Sequence, residues 1–113
     1  MKISLLGFDE KTATFEAASS VAEGKPVAIT ANGWVQAVTS GPFCGICKNV
    51  REGFAAVQLS GYVRVNYTGT LNVGYQMLAA AEGGKVTVDT ANGREYLVVD
   101  LNTTANIAGI ILK

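Results

Sequence analysis

An all-β fold, a single small barrel or sandwich built from consecutive hairpins, is predicted for this chain of 113 residues. The first observation is a succession of short β-type runs, which Gly-containing turns interrupt about every 8–12 residues. The second is a pair of Asn-Gly dipeptides, Asn32-Gly33 and Asn92-Gly93, because Asn-Gly tolerates the positive φ angles of a two-residue hairpin turn. The third is the lack of a long amphipathic pattern, which leaves room for at most one short helical turn.

The first elements are a strand and a hairpin. Residues 12–17 have the composition of a strand, and residues 25–30 and 34–38 flank the Asn32-Gly33 turn. A two-residue turn at that position sets the pairing register of the two strands. The side chains that this register places on one face are Val27, Ile29, Trp34 and Val38, with polar Gln36 among them.

A second predicted hairpin occupies the middle of the chain. Residues 43–50 lead into Arg51-Glu52-Gly53, and Gly53 suits a left-handed turn position. The return strand, residues 55–59, alternates in polarity until Gly61, which predicts a bulge or bend. Alternation then resumes, with Val63, Val65 and Tyr67 expected to face inward and Tyr62, Arg64 and Asn66 outward.

The C-terminal third contains three further segments. Residues 75–81 fit either a strand or one or two helical turns, since Met, Leu and Ala favour helix. Residues 86–89 and 95–99 are predicted to pair across Asn92-Gly93. In that register Val88 faces Leu97, Val86 faces Val99, and Lys85 faces Asp100. Residues 107–112 are apolar almost throughout, which predicts a closing strand buried on both faces or paired with another chain.

Composition limits the classes of function. Residues 1–113 are expected to form one domain, with residues 1–10 as a candidate N-terminal arm. Charged residues make up 16% of the chain, against roughly 25% in an average domain. A surface poor in charge is less protected against association. Net charge is zero with no basic cluster, so no nucleic-acid partner is expected.

No targeting signal is expected from the sequence. The apolar stretch within residues 1–8 is too short for a signal-peptide core and runs directly into Asp9-Glu10-Lys11. No run approaches the ~18 apolar residues of a membrane span. The expectation is a product of the cytoplasm with no membrane partner.

The chain offers little catalytic chemistry. It contains no histidine, which excludes a nucleophile activated by His. Three carboxylates, Asp89, Glu95 and Asp100, remain as candidates for acid–base work, although solvated charges on strand faces are the simpler interpretation. No glycine-rich phosphate loop is present, and neither a catalytic residue nor a cofactor is predicted.

Cys44 and Cys47 form a CxxC pair within a predicted strand. Residues three apart on a strand point to opposite faces about 10 Å apart, beyond the ~7 Å reach of a disulfide between Cα atoms. Zinc needs four ligands, which only a symmetric oligomer could supply here. Inert buried thiols are therefore predicted, and an oligomer-linked metal or disulfide and a redox role stay open as alternatives. No metal site is predicted from one chain.

The aromatic residues suggest a binding role as an alternative. An exposed row of such side chains could hold a sugar or a peptide. The simpler expectation is that about half of them point inward, because their spacing shows no shared face. The side chains concerned are Trp34, Tyr62, Tyr67, Tyr75 and Tyr96.

A family resemblance narrows the role. The run from Phe43 to Tyr62, FCGICKNVREGFAAVQLSGY, resembles capsid decoration proteins, or head cement proteins, of tailed phages and prophages of Firmicutes. The same resemblance extends over Gly24-Lys25-Pro26-Val27, over Gly74-Tyr75 with Leu78-Ala79, and over residues 94–100, and so covers nearly the whole chain. It is carried by glycine and β patterns and includes no chemical signature.

The resemblance implies a non-enzymatic protein of the virion that binds the major capsid protein on the capsid exterior, usually as a homotrimer. It also implies an N-terminal arm that becomes ordered on the capsid. The apolar side chains of the corresponding segment are the predicted partner-binding residues: Ile3, Leu5, Leu6 and Phe8. The same residues could equally form a first barrel strand.

Three functions are therefore compatible with the sequence. Capsid decoration is the first, a small sugar- or peptide-binding module of a phage fibre or tail is the second, and an enzyme with paired carboxylates is the third. An aromatic groove would favour the second, and a deep pocket with perturbed carboxylates would favour the third.

Overall fold

The structure, a computed structural model, describes residues 11–112 of the chain, and this part is built from strands without any helix. The all-β prediction is confirmed. The ten strands are β1 (Lys11–Ala17), β2 (Pro26–Ala31), β3 (Trp34–Ala37), β4 (Gly45–Arg51), β5 (Phe54–Ser60), β6 (Tyr62–Asn66), β7 (Gly74–Ala81), β8 (Lys85–Val88), β9 (Arg94–Asn102) and β10 (Ile107–Ile111).

The first five strands close into a barrel in the order β1-β3-β2-β4-β5. Closure depends on the parallel pair β1 and β3, in which Glu16 lies beside Trp34 and Ala17 beside Val35. Every other pair in the barrel is antiparallel. The barrel core is a cluster of small and branched side chains: Ala17, Val21, Val27, Val35, Cys47, Ala55 and Val57.

The last five strands form a second sheet in the order β6-β10-β9-β7-β8. A single parallel bridge between Tyr67 and Val86 joins its two edges, so the sheet curls towards closure. The residue after the bridge continues the contact, since the Thr68 N–H donates to the Val86 carbonyl at 3.0 Å. Its core includes Tyr67, Leu71, Leu78, Val86, Val98, Ala108 and Ile110.

The second sheet repeats the topology of the barrel strand by strand. Each of β6 to β10 has the neighbours and directions of the strand five places before it, including the parallel contact that closes the ring. The β4–β5 register shifts after Cys47, and the β9–β10 register shifts after Val98, its counterpart. The chain therefore contains an internal structural repeat, whose unit is five strands.

Hydrogen bonds outside the sheets repeat as well. The Ala17 N–H donates to the Gly53 carbonyl at 2.9 Å, and the Tyr67 N–H donates to the Asn106 carbonyl at 2.9 Å. Gly53 and Asn106 both have positive φ, 82° and 57°. The core of the fifth strand repeats too, because Ala55, Val57 and Leu59 correspond to Ala108, Ile110 and Leu112.

The predicted hairpin across Asn92-Gly93 is wrong. β7 lies between β8 and β9, so that Leu78 pairs with Val88 on one side and Arg94 on the other. The dipeptide instead belongs to a loop closed by Asp89, whose Oδ1 accepts the N–H groups of Ala91 and Asn92 at 3.0 and 2.9 Å. Residues 75–81 are accordingly strand rather than helical turns, and their hairpin partner is β8.

The Asn32-Gly33 and Glu52-Gly53 hairpins are confirmed, the second with positive φ at both turn residues. The predicted facing within the first is wrong, because the register shifts between Ile29 and Ala31. Val35, and not Trp34, is therefore buried with Val27.

Side-chain facing in the later strands follows the prediction. Val63, Val65 and Tyr67 are buried, while Arg64 and Asn66 are exposed. Tyr62 lies on the outer face with Arg64 but is only 4% exposed, because its ring lies against Gly109 and its hydroxyl donates to the Asp100 carboxylate at 3.0 Å. The closing strand β10 is buried between β6 and β9, as its apolar composition predicts.

The two halves meet in a joint that begins at Gly61, the single residue between β5 and β6, where φ is 88°. Phe43 of the β3–β4 loop stacks on Tyr96 of β9 with ring centroids 5.0 Å apart. The Tyr96 hydroxyl donates to the Phe43 carbonyl at 2.8 Å, and the Ala80 N–H donates to the Gly41 carbonyl at 2.9 Å.

Comparison of the two repeats predicts the effect of a side chain at Gly109 in β10. A Cβ on Gly109 would collide with the Asp100 carboxylate and the Tyr62 hydroxyl. In the barrel, Ala56 occupies the position of Gly109, and Thr12 occupies the position of Tyr62. The barrel therefore has room for the Cβ of Ala56 because Thr12 is smaller than Tyr62. Gly109→Ala should therefore lower the free energy of unfolding by about 1–3 kcal/mol, the usual cost of overpacking.

Chemical denaturation of the purified variants measures this effect. Gly109→Ala should cost less in a Tyr62→Thr protein than in the wild type, because the collision with the Tyr62 hydroxyl is then absent. Ala56→Gly is the matched control for the effect of glycine itself. A Gly109→Ala protein as stable as the wild type would contradict the prediction.

Candidate interaction surface

Two aromatic side chains flank a carboxylate in a row across β3, β1 and β5, on the outside of the barrel. Glu16 on β1 pairs in register with Trp34 on one side and with Phe54 on the other. Because paired residues share a face, all three project outward, opposite to buried Val35, Ala17 and Ala55. We name Trp34, Glu16 and Phe54 the aromatic row.

Each aromatic side chain of the row follows a tight turn. Trp34 comes directly after Asn32-Gly33, and Phe54 directly after Glu52-Gly53. The Glu16 N–H donates to the Gly33 carbonyl at 3.0 Å, and the Ala17 N–H donates to the Gly53 carbonyl, so both turns are fastened to the end of β1. Phe54 is 50% exposed and Trp34 is half-buried.

The second sheet provides an internal comparison. Its counterparts of Trp34, Glu16 and Phe54 are Lys85, Asn66 and Ile107. The aromatic pair therefore exists only on the barrel, although both halves have the same backbone plan. The strand repeat does not require aromatic residues at these positions, which marks the row as a candidate contact surface.

A polar depression lies on the outside of the second sheet. It has a volume of about 330 Å³ and is lined by Arg64, Asp100, Leu101, Asn102 and Ile107. Beside it, the Tyr62 hydroxyl donates to Asp100, and the Arg64 guanidinium Nε donates to the Tyr62 oxygen at 3.3 Å. These contacts hold the three side chains to one another.

The three candidate carboxylates differ in their surroundings. Asp89 accepts two loop N–H groups, and these hydrogen bonds hold its pKa below the usual value. Asp100 accepts the Tyr62 hydroxyl, and Glu95 is exposed on β9 opposite Met77. Within residues 11–112, no three His, Cys, Asp or Glu side chains come together as a metal site would require.

Cys44 and Cys47 are free thiols. Cys47 lies in the barrel core, and half-buried Cys44, just before β4, packs against the same core. The predicted placement on opposite faces is therefore wrong, because strand alternation begins only at Gly45. Burial raises the pKa of both thiols, and the charge of Glu23 raises that of Cys47 further.

The tyrosines divide between core and surface. Tyr62, Tyr67 and Tyr96 are buried, while Tyr75 is 68% exposed. The sequence pattern did not single out Phe54, because the predicted return strand began at residue 55, whereas β5 begins at Phe54. The predicted partner-binding residues Ile3, Leu5, Leu6 and Phe8 lie outside the described part of the chain.

Comparison with known proteins adds no relative. A scan against protein-family models finds no match, and a search of curated proteins finds none either. Among residues 11–112 there is also no helix long and apolar enough to cross a membrane.

The burial of the two thiols predicts that they react slowly with alkylating reagents. Since burial disfavours the thiolate, both cysteines should react with iodoacetamide at pH 7–8 at least tenfold more slowly than a free cysteine peptide. The rate should rise only at a pH above that of the peptide, with Cys44 modified before Cys47. Mass spectrometry of timed samples measures this order. Rapid labelling of Cys47 in the folded protein would contradict it.

Proposed function

We propose that this protein is a non-enzymatic capsid decoration protein that binds the outer surface of a tailed-phage capsid. Its partner in this proposal is the major capsid protein, its location is the virion exterior, and it acts as a homo-oligomer, with a trimer favoured. The observation that carries the proposal is the aromatic row, in which Trp34 and Phe54 flank Glu16 on the outside of the closed barrel. The family resemblance of the sequence supports the same role.

The energetics suit a lattice better than a single tight partner. Burying a Phe side chain completely contributes about 1.5–3 kcal/mol, and Phe54 has only half of its surface left to bury. One such contact is weak. Repetition over many equivalent coat subunits and several linked copies raises the total by multivalency. Binding that favours the mature lattice stabilises that lattice by linkage.

The described side chains give less support to catalysis. Asp89 and Asp100 both already have hydrogen-bond donors. Of the side chains that line the exterior depression, Arg64 and Asp100 are both hydrogen-bonded to Tyr62. An interaction surface is therefore the better description of what the outside of this fold presents.

The sugar- or peptide-binding module is a second candidate, favoured by the exposure of Tyr75 and Phe54. Against it, Tyr62, Tyr67 and Tyr96 are buried, so no continuous aromatic groove forms along β6 to β9. Immobilised glycans or peptides that bind the protein saturably, in the absence of capsid binding, would favour this candidate over decoration.

Binding to particles is the direct test. Purified protein added to undecorated mature capsids should bind to saturation, with a stoichiometry fixed by the lattice. The decorated capsids should then resist heat or chelator better than bare ones, as measured by release of packaged DNA. Capsids of a phage or prophage that encodes this chain are the proper substrate. No saturable binding would overturn the proposal.

The aromatic row predicts which residues matter. Phe54→Ser should weaken capsid binding at least tenfold, because it removes the largest exposed apolar side chain of the row. Its matched control is Ile107→Ser, at the same strand position in the second sheet, which should bind as the wild type does. Sedimentation of capsids with labelled protein measures both. Equal losses in the two variants would show that the row has no special part in binding.

A further inference from the structure

The joint between the two halves has two sides that the repeat duplicates. One side, the joint face, belongs to the barrel and consists of the buried residues Pro26, Ile46 and Gln58, the last of which donates from its Nε2 to the Tyr62 carbonyl. The other side, the joint hairpin, is β7–β8 of the second sheet, with Ala80 and the turn residue Gly84. Ile46 is buried in the core cluster of the second sheet, and the Lys25 side chain lies so close over Gly84 that no Cβ would fit there.

The second sheet has its own copy of the joint face, and that copy is uncovered. Ile46 pairs with Gln58 in the barrel, and at the same register Leu97 pairs with Ile111 in the sheet. Pro26 pairs with Ile46 as Tyr75 pairs with Leu97, so Tyr75 takes the place of Pro26. Tyr75, Leu97 and Ile111 lie side by side on β7, β9 and β10. We name these three residues the free face.

The free face is exposed where the joint face is buried. Ile46 is 1% exposed, whereas Tyr75 is 68% exposed and the adjoining Val73 is 60% exposed. Leu97 and Ile111 are half-buried. The second sheet thus presents to solvent an apolar version of a surface that the barrel uses for packing.

The barrel likewise has an uncovered copy of the joint hairpin. Ala80 pairs with Val86, and at the same register Ile29 pairs with Val35. Gly84 corresponds to Gly33, which precedes β3 with positive φ as Gly84 precedes β8. Ala80 is buried under the Gly41 to Phe43 loop, whereas Ile29 is 52% exposed. We name Ile29 and Gly33 the free hairpin.

We propose that a second copy of this chain covers the free face: Tyr75, Leu97 and Ile111 of one copy dock on the Ile29–Gly33 hairpin of the next. The contact repeats between copies the packing that already joins the barrel to the second sheet within one chain. Three of the five large exposed apolar side chains of residues 11–112, Ile29, Val73 and Tyr75, lie on or beside the two free surfaces.

A contact between two unlike surfaces is heterologous, and copies joined in this way close into a ring or extend into a filament. The proposed homotrimer would be such a ring, in which three barrels alternate with three five-stranded sheets. The inference rests on the homo-oligomer of the proposed function. It is tested without capsids, so its failure leaves the capsid-binding result to stand or fall separately.

Two variants and their mixture test the geometry. Tyr75→Glu disrupts the free face and Ile29→Glu disrupts the free hairpin. Sedimentation velocity at about 50 μM protein should show an oligomer for the wild type and the 11.8 kDa chain alone for each variant. Phe54→Glu, an exposed apolar residue on neither surface, is the control that should keep the wild-type mass. Thermal melting verifies that each variant is folded.

Mixing the two variants distinguishes a heterologous contact from a two-fold one. The Tyr75→Glu protein keeps an intact hairpin, and the Ile29→Glu protein keeps an intact face, so an equimolar mixture should form a 1:1 dimer and nothing larger. A mixture that stays monomeric would overturn the proposal, as would a monomeric wild type or variants of wild-type mass. Should Ile29→Glu not fold, Ile29→Ser takes its place in the same mixture.

Discussion

The stacked pair of Phe43 and Tyr96 holds the molecule together as one body. The phenol donates to the Phe43 carbonyl, so a large buried polar group is satisfied by the other half of the chain. Burial of Tyr96 raises its pKa, in keeping with a hydroxyl that stays protonated as a donor. Because this contact fixes the β3–β4 loop, Ile46 on the outside of the barrel becomes part of the core of the second sheet.

Local sequence signals predicted turns and strand identities better than strand partners. Glu52-Gly53 forms the predicted hairpin because both turn residues adopt positive φ. Asn92-Gly93 carries the same local signal, yet Asp89 captures its loop and β7 separates the flanking strands. Which strand inserts between two others is decided by long-range packing, and two-residue turn chemistry does not contain that information.

Neither the strand repeat nor the aromatic row can be recognised from the sequence alone, because both depend on strand register. Equivalent core positions keep their apolar character and change identity, as with Cys47 and Val98 or Val57 and Ile110. The repeat emerges only from register. Trp34 and Phe54 are twenty residues apart and become neighbours of Glu16 through two different strand pairings. A resemblance could suggest the role, but only the closed barrel brings these side chains into one row.

The one-residue connection at Gly61 keeps the two halves of the chain close together. Gly61 is all that separates β5 from β6, so the halves are held at an effective concentration of millimolar or more by the standard of short linkers. Their joint can therefore be small and still be formed permanently. Two halves of equal plan could also exchange strands while folding. The unlike side chains at equivalent positions, Gly109 against Ala56 and Tyr62 against Thr12, make each set of strands fit its own half.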